Sequence, residues 1–317
     1  MSEIAEVVAA HGGAGWSARM KSLRDEIGEI WRACGVESEW SRLKAVLMHR
    51  PGLEIETITD ANKALMLDVP NPLLARCQHD SLVAAYRNAG ITVFYVEPCS
   101  TPPPNQMFVA DLFFMTPEGA VLARPASTVR AGEERFVAQK LAELHIPILR
   151  YVRGRGVFEG ADAAWVDSTT VILGTGLRTN VEGAVQVKNL LHEMGVKVVK
   201  VVLPEGVMHL MGTLRLVDRD LAVCWRTRIP QAAVKALRDH GYDIVYVPDE
   251  KEAIQGMALN FVTLGPKRIL MPTGNPRTQS FYEDMGIKCA TVKVDELHKA
   301  AGGVACLTGV LEREPSR

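Results

Sequence analysis

From residue 43 onward, short runs rich in valine, leucine and isoleucine alternate with longer stretches whose apolar residues recur every three or four positions. The short runs fit strands, and the longer ones fit amphipathic helices. "LKAVLMHRPG" ends in a Pro-Gly turn, "NPLLARCQHDSLVAAYRNAG" has helical spacing and a glycine stop, and "ITVFYVE" reads as a strand. The order then recurs. "FVADLFFMTPEGAVLARP" predicts a hairpin, "AGEERFVAQKLAELH" a helix and "IPILRYV" a strand. "GADAAWVDSTTVILG", "VEGAVQVKNLLHEMG" and "VKVVKVV" form the next set, and "LMGTLRLVDRDLAVCW", "PQAAVKALRDHG" and "YDIVYVP" another. "MALNFVTLGPKRILMP", "RTQSFYEDMG" and "KCATVKV" complete the series.

Each hairpin opens near a polar residue: Asp111, Asp162, Thr213, Asn260 and Cys306, at intervals of 51, 51, 47 and 46 residues. A period near fifty suits two strands, a helix and a strand repeated around an axis. The last run, "ACLTGVLER", lacks a return strand, which the early "LKAVLMH" can supply by closing a ring. The predicted class is therefore α/β, a ring of five ββαβ units in which the five polar side chains converge on one centre. Residues 1–35 fall outside the repeat. Their "WSARMKSLRDEIGEIWRACG" has helical periodicity and predicts a helical extension or a subunit contact, with residues 36–317 as a single domain and a homo-oligomer as the expected assembly.

Composition adds mainly exclusions. The 317 residues are 47% hydrophobic and 23% charged with a formal net charge of -1, so nothing favours nucleic acid or an anionic membrane surface as a partner. No apolar run reaches the roughly 18–20 residues of a membrane span. The N-terminus lacks a basic region followed by a continuous apolar one, so no secretory signal is expected. The six cysteines show no CxxC pair, which predicts reduced thiols, no structural zinc and a cytoplasmic location.

Among the reactive side chains, Cys306 needs a base or a lowered pKa to act as a nucleophile, and His209 in "PEGVMHLMG" is the partner that the repeat points towards the centre. Each alone reads as well as structure. Asp111 in "MFVADLFFM" and Glu159 with Asp162 in "VFEGADAAWV" sit in apolar surroundings where an unpaired carboxylate is costly. Acids converging with a cysteine and a histidine suit a cationic ligand, and a planar guanidinium presents paired donors to carboxylates. His49 and His79 read as structural, Cys224 and Cys289 as core, and Asn260 as a hydrogen-bond partner near the sulfur. "LGPKRILMP" lacks the glycine spacing of a phosphate loop.

These stretches resemble the guanidino-group-modifying enzymes of the pentein fold, the five-bladed α/β propeller, over about residues 35–313. "GVESEWSRLKAVLMHRPGLE" is similar to the opening of arginine deiminases, and the C-terminal strand also resembles that of dimethylargininases. The resemblance implies that Asn105 and Phe108 in "PNQMFVAD" border a guanidine and that Asp111 pairs with it. It makes Glu159 in "FEGAD" a guanidinium ligand and partner of the base, with Asp162 in support. Arg178 in "GLRTN" and Arg130 in "STVRAGEE" would hold a substrate carboxylate, His209 would be the catalytic base and Cys306 the nucleophile.

Two positions depart from the family pattern. Ala110 stands where an arginine is usual, and Met211 where arginine deiminases carry an acid two residues after the histidine. Losing that acid removes one ligand of an unsubstituted guanidinium, and an apolar Met211 better tolerates a substituted nitrogen. N-methylated arginines or another guanidino acid thus join arginine as candidate substrates. The implied chemistry is hydrolysis to a ureido product such as citrulline, through a covalent amidino-thioether, with no metal or organic cofactor. Three alternatives stay open: transfer of the amidino group to an amine, an arginine dihydrolase, and a non-catalytic propeller like the ribosome-binding penteins.

Overall fold

The fold is known from a computed structural model that describes residues 7–316. Among these residues the strands form five separate three-stranded sheets. The second unit sets the pattern. β3 (Phe113–Thr116) and β4 (Gly119–Leu122) form an antiparallel hairpin, α3 (Glu133–Glu143) crosses over, and β5 (Ile148–Tyr151) returns parallel to β4. The third unit repeats it with β6 (Ala163–Asp167), β7 (Thr170–Thr175), α4 (Val181–Glu193) and β8 (Lys197–Val202). The fourth uses β9 (Leu214–Asp218), β10 (Leu221–Cys224), α5 (Gln231–Asp239) and β11 (Asp243–Tyr246). The fifth uses β12 (Val262–Gly265), β13 (Arg268–Pro272), α7 (Pro276–Asp284) and β14 (Lys288–Val292). Two short helices escape the sequence pattern, α6 (Glu250–Gln255) and α8 (Asp295–His298).

The remaining sheet takes its strands from both ends of the chain. β15 (Gly309–Arg313) pairs antiparallel with β1 (Leu43–Met48), with Val46 opposite Val310, and β1 continues through α2 (Pro72–Asn88) to the parallel β2 (Thr92–Tyr95). The buried Arg313 reinforces the seam by donating to the carbonyls of Ser41 (2.6 Å) and Thr263 (2.9 Å). The ring closure expected from the unpartnered last strand is present.

The middle strands β4, β7 and β10 are buried along their whole length, as expected for strands covered on both faces, and their sequences are correspondingly near-continuous apolar runs. The returning strands are more exposed. On β8, Lys197 and Lys200 face solvent and blunt an open sheet edge. Between the second and third units, the fully buried Trp165 stacks on Phe114 at 5.7 Å and donates its indole N–H to the Met115 carbonyl at 3.0 Å. Trp165→Ala, which empties this space and strands that carbonyl, is expected to cost about 3–5 kcal/mol. Urea unfolding of the two proteins measures it.

The N-terminal segment differs from the expected helical extension. Ser22 and Asp25 form a capping box that starts α1 (Leu23–Glu26), but Gly28, in the left-handed region at φ +88°, ends it after one turn. Residues 32–36 then run as a strap: Arg32 N–H donates to His145 O, Gly35 N–H to Leu311 O, and Arg313 N–H to Gly35 O. Helical spacing without an apolar face to bury was insufficient, and Trp16 and Ile30 remain more than 60% exposed.

Candidate active site

The five sheets deliver their first strands towards a common centre, and a tight turn precedes three of them. Single 3₁₀ turns at Val109–Asp111, Gly160–Asp162 and Leu210–Gly212 stand just before β3, β6 and β9. Asp111 closes the first turn, while Glu159 and His209 stand immediately ahead of the other two. The link to the last sheet is direct, since Ala110 N–H donates to the Cys306 carbonyl at 3.2 Å.

Glu159 is the hub. Its Oε2 lies 2.6 Å from His209 Nε2 and 3.3 Å from Arg130 Nη1, and its Oε1 accepts from Ala126 N–H at 3.1 Å and lies 3.4 Å from Arg178 Nη1. Burial alone would raise its pKa, but His209, Arg130 and Arg178 hold it below the usual carboxylate range. His209 behaves reciprocally. Burial works against its charged form, yet Asp111, Glu159 and Asp162 together lift it to about 9, so it rests as imidazolium. Asp111 Oδ2 accepts from Arg130 Nη1 at 2.7 Å, whereas its buried Oδ1 has no hydrogen-bond partner among the described residues and faces His209 Nε2 at 3.8 Å.

Cys306 is clamped by Asn260. The side-chain oxygen of Asn260 accepts from the N–H groups of Ala305 (2.8 Å) and Cys306 (3.3 Å), and its amide donates to Cys306 Sγ at 3.0 Å. The two preceding glycines make room for this: a Cβ on Gly302 would stand 2.1 Å from the Phe108 ring, and one on Gly303 would stand 2.9 Å from Asn260 Oδ1. Burial and then the charge of Asp111 push the Cys306 thiol above its ordinary pKa, and the Asn260 hydrogen bond only partly offsets them. The resting sulfur is a neutral thiol.

Two cavities meet at His209 and Cys306. One is small, about 20 Å³, and carries the charged side chains Asp111, Arg130 and Arg178 beside Asn105 and Phe108. Asn105 borders it while donating to the Ala64 carbonyl at 2.8 Å, and the N–H groups of Leu67 and Asp68 donate to Lys299 O, so the loop carrying Leu65 is tied down over the entrance. Leu65 itself is held at φ +60°. The other cavity is apolar, about 320 Å³, and Met211 lines it.

Three expected residues, Glu159, Asp162 and Arg130, are placed differently from expectation; Glu159, read as a guanidinium ligand, is wholly buried and lines neither cavity. Asp162 does not line either cavity; it is wholly buried, accepts from Thr179 Oγ1 (2.6 Å) and from Leu210 N–H (3.0 Å), and so fixes the turn that carries His209. Burial, opposed by these bonds and by His209, pushes it up to about 6. Thr213 lines the apolar cavity while donating to the Leu210 carbonyl. Arg130, expected to meet a substrate carboxylate, is committed to acids: besides Asp111 and Glu159 it donates through Nε to Glu133 at 2.9 Å. Its charge is needed where four carboxyl groups are packed together. Sequence reasoning missed Glu133, whose position three residues after Arg130 on a helical pattern was the available signal. It also missed Asn180, which caps α4 through Gly183 N–H and holds Val157 N–H and Arg155 O just ahead of Glu159. His49, bonded to Glu54 and to the Val96 carbonyl, and the buried His79 are structural as expected.

Asp111, Glu133, Glu159 and Asp162 crowd round Arg130, Arg178 and the His209 imidazolium, and burial, opposed by Arg130, pushes Glu133 up to about 7. Asp111, Glu159 and His209 bring one ligand atom each within 4.8 Å of one another, a spacing open to a metal ion. Both carboxylates already accept from N–H groups, and the His209 nitrogen donates rather than offering a lone pair. The cluster is therefore arranged for a planar N–H cation.

Comparison with known proteins agrees with this chemistry. Residues 65–311 match the family model described as N,N dimethylarginine dimethylhydrolase, eukaryotic. The N(G),N(G)-dimethylarginine dimethylaminohydrolase of Pseudomonas aeruginosa is 24% identical over 252 residues, covering 80% of this chain and 94% of the relative. A crystal form of the Pseudomonas aeruginosa enzyme, a cysteine-to-serine mutant complexed with citrulline, superposes with a TM-score of 0.71 at 23% identity over 84% of this chain and 98% of that one. An amidinotransferase of saxitoxin biosynthesis from Microseira wollei shares the fold with a TM-score of 0.70 at 15% identity, over 89% of this chain and 98% of the other.

Proposed function

This chain belongs to the N,N dimethylarginine dimethylhydrolase family, and from that premise we propose that it hydrolyses the guanidino group of arginine derivatives substituted on a terminal nitrogen, giving citrulline and an amine. The observation that carries the reading is the convergence of Cys306, His209 and the unpartnered Asp111 Oδ1 on one cavity, with Glu159 holding the imidazole.

Glu159 lines neither cavity and keeps hold of His209, so the substrate's guanidinium enters against the unpartnered Asp111 Oδ1 and donates to it. Its charge offsets the effect of Asp111 on the sulfur, so Cys306 loses its proton to solvent once the substrate is bound. The thiolate attacks the guanidino carbon and forms an S–C bond. His209, already imidazolium, gives its proton to the leaving nitrogen as the C–N bond breaks, and the amidino-thioether remains. The now neutral His209 takes a proton from water, the oxygen adds to the same carbon, and the C–S bond breaks to release the ureido product. Asn260 stabilises the sulfur anion at the start and end of the cycle, and Arg178 holds the substrate's α-carboxylate. Met211 takes the place of an acid beside the substituted nitrogen. No metal or organic cofactor enters the scheme.

The test is to incubate the protein with Nω,Nω-dimethylarginine and with arginine, with and without an added amine, and to assay citrulline, ammonia and dimethylamine. Citrulline and dimethylamine in equal amounts without an acceptor are expected; product that requires the amine would mean amidino transfer. Arg178→Ala is expected to raise KM by about tenfold to a hundredfold, the value of one charge-assisted hydrogen bond, with a smaller change in kcat. Steady-state kinetics on dimethylarginine separates the two parameters. The ultraviolet absorbance of the thiolate should rise when a guanidinium-bearing, non-hydrolysable analogue binds.

A further inference from the structure

The apolar cavity beside His209 and Cys306 is far larger than two methyl groups require. Its volume is about 320 Å³, whereas an apolar cavity of about 150 Å³ accommodates benzene. Met208, Met211, Trp225, Ile254, Met257 and Leu259 are among its large apolar lining residues. Room begins directly beside the catalytic turn, since a Cβ on Gly212 would meet no atom within 4 Å.

The occupant is largely apolar and not cationic. None of the lining side chains is acidic, so an ammonium would find no counter-ion there; His209, Arg228 and His298 are the basic groups on the wall, and Thr213 and Asn260 the uncharged polar ones. Arg228 is part of the wall, its guanidinium 4.2 Å over the Trp225 ring. Three thioethers give the wall a surface that adapts to varied apolar shapes. Met257 and Ala301, at φ +50° and +71°, hold sparsely populated backbone conformations on the same wall, a cost that a packed functional site tolerates.

We infer that the nitrogen expelled by this protein carries an apolar group larger than methyl, an aryl-alkyl or branched alkyl substituent that fills the chamber walled by Met211, Trp225 and Met257. The inference rests on the hydrolytic reading above and extends it to the substrate class. The guanidino carbon sits at Cys306 beside Asp111, the amino-acid end lies towards Arg178, and the substituent projects into the apolar chamber on the opposite side. For a substrate RNH–C(NH₂)–NHR′ bearing one positive charge, addition of water gives RNH–C(O)–NH₂ and R′NH₃⁺, with the C–NHR′ bond broken and a C–O bond formed.

The experiment compares wild-type kcat/KM for Nω-benzyl-L-arginine and Nω,Nω-dimethyl-L-arginine, with citrulline and the released amine both quantified. At least a tenfold preference for the benzyl compound is expected, with benzylamine and citrulline in equal amounts. A smaller ratio, or release of ammonia with benzylcitrulline, overturns the inference while dimethylarginine hydrolysis leaves the proposed function standing. Failure to hydrolyse either compound overturns both. Ile254→Trp, at a half-exposed wall position, narrows the chamber and should lower the benzyl-to-dimethyl ratio tenfold or more. An unchanged ratio would show that the substituent lies elsewhere.

Discussion

Cys306→Ser is expected to lower kcat/KM on dimethylarginine by about ten-thousandfold or more, the scale of losing a covalent nucleophile. The physical reason lies around the sulfur. Burial and Asp111 disfavour a negative charge there even for a thiol, and Asn260 supplies a single amide donor in return. A serine hydroxyl, far less acidic, gains nothing further from that environment. The exchange removes little volume, so the unfolding transition should stay close to wild type. Retained turnover would remove Cys306 from the chemistry, and mass spectrometry of acid-quenched wild-type protein should find the amidino adduct on this residue.

His209→Gln is expected to lower kcat by about a hundredfold to ten-thousandfold, because one group both protonates the leaving amine and activates water. The pH dependence separates this from a positioning effect. Wild-type kcat, with Cys306 already ionised in the substrate complex, should fall as pH rises past the point where the imidazolium, lifted to about 9 without substrate, loses its proton, and His209→Gln should lack that limb. Glu159→Gln weakens the support for the charge and should move the limb to lower pH. Stability carries the same signature. The folded pKa is raised above the ordinary 6.5, so the stabilisation by His209 is fully present below about 6.5 and is lost as pH rises through about 9. Urea unfolding across that range should show this slope in wild type and not in His209→Gln.

The ring could be read from the chain because its units are local: an alternating hairpin, an amphipathic helix and a strand, each bounded by glycine or proline, recur with nearly constant spacing. The same spacing brought Asp111, Asn260 and Cys306 to the centre. It could not say which polar residues reach a cavity. Asp162 and Thr213 occupy equivalent places in the repeat, yet Asp162 is spent on Thr179 and Leu210 N–H and lines no cavity, while Thr213, bonded to Leu210 O, lines the apolar one. Arg130 was assigned by resemblance to a substrate carboxylate, whereas its partner set follows from the packing of Asp111, Glu133 and Glu159, residues of three separate segments. The helix expected between residues 16 and 35 failed for a related reason: periodicity states a preference, and only a neighbouring apolar surface can realise it.

The shared sheet of β1, β2 and β15 has a consequence for biosynthesis. The segment carrying Cys306 is anchored only once β15, just after it, has been translated, because β15 docks against a strand translated some 260 residues earlier. If Cys306 is the nucleophile, fragments that carry His209, Glu159 and Asp111 but end before β15 are expected to lack guanidino turnover.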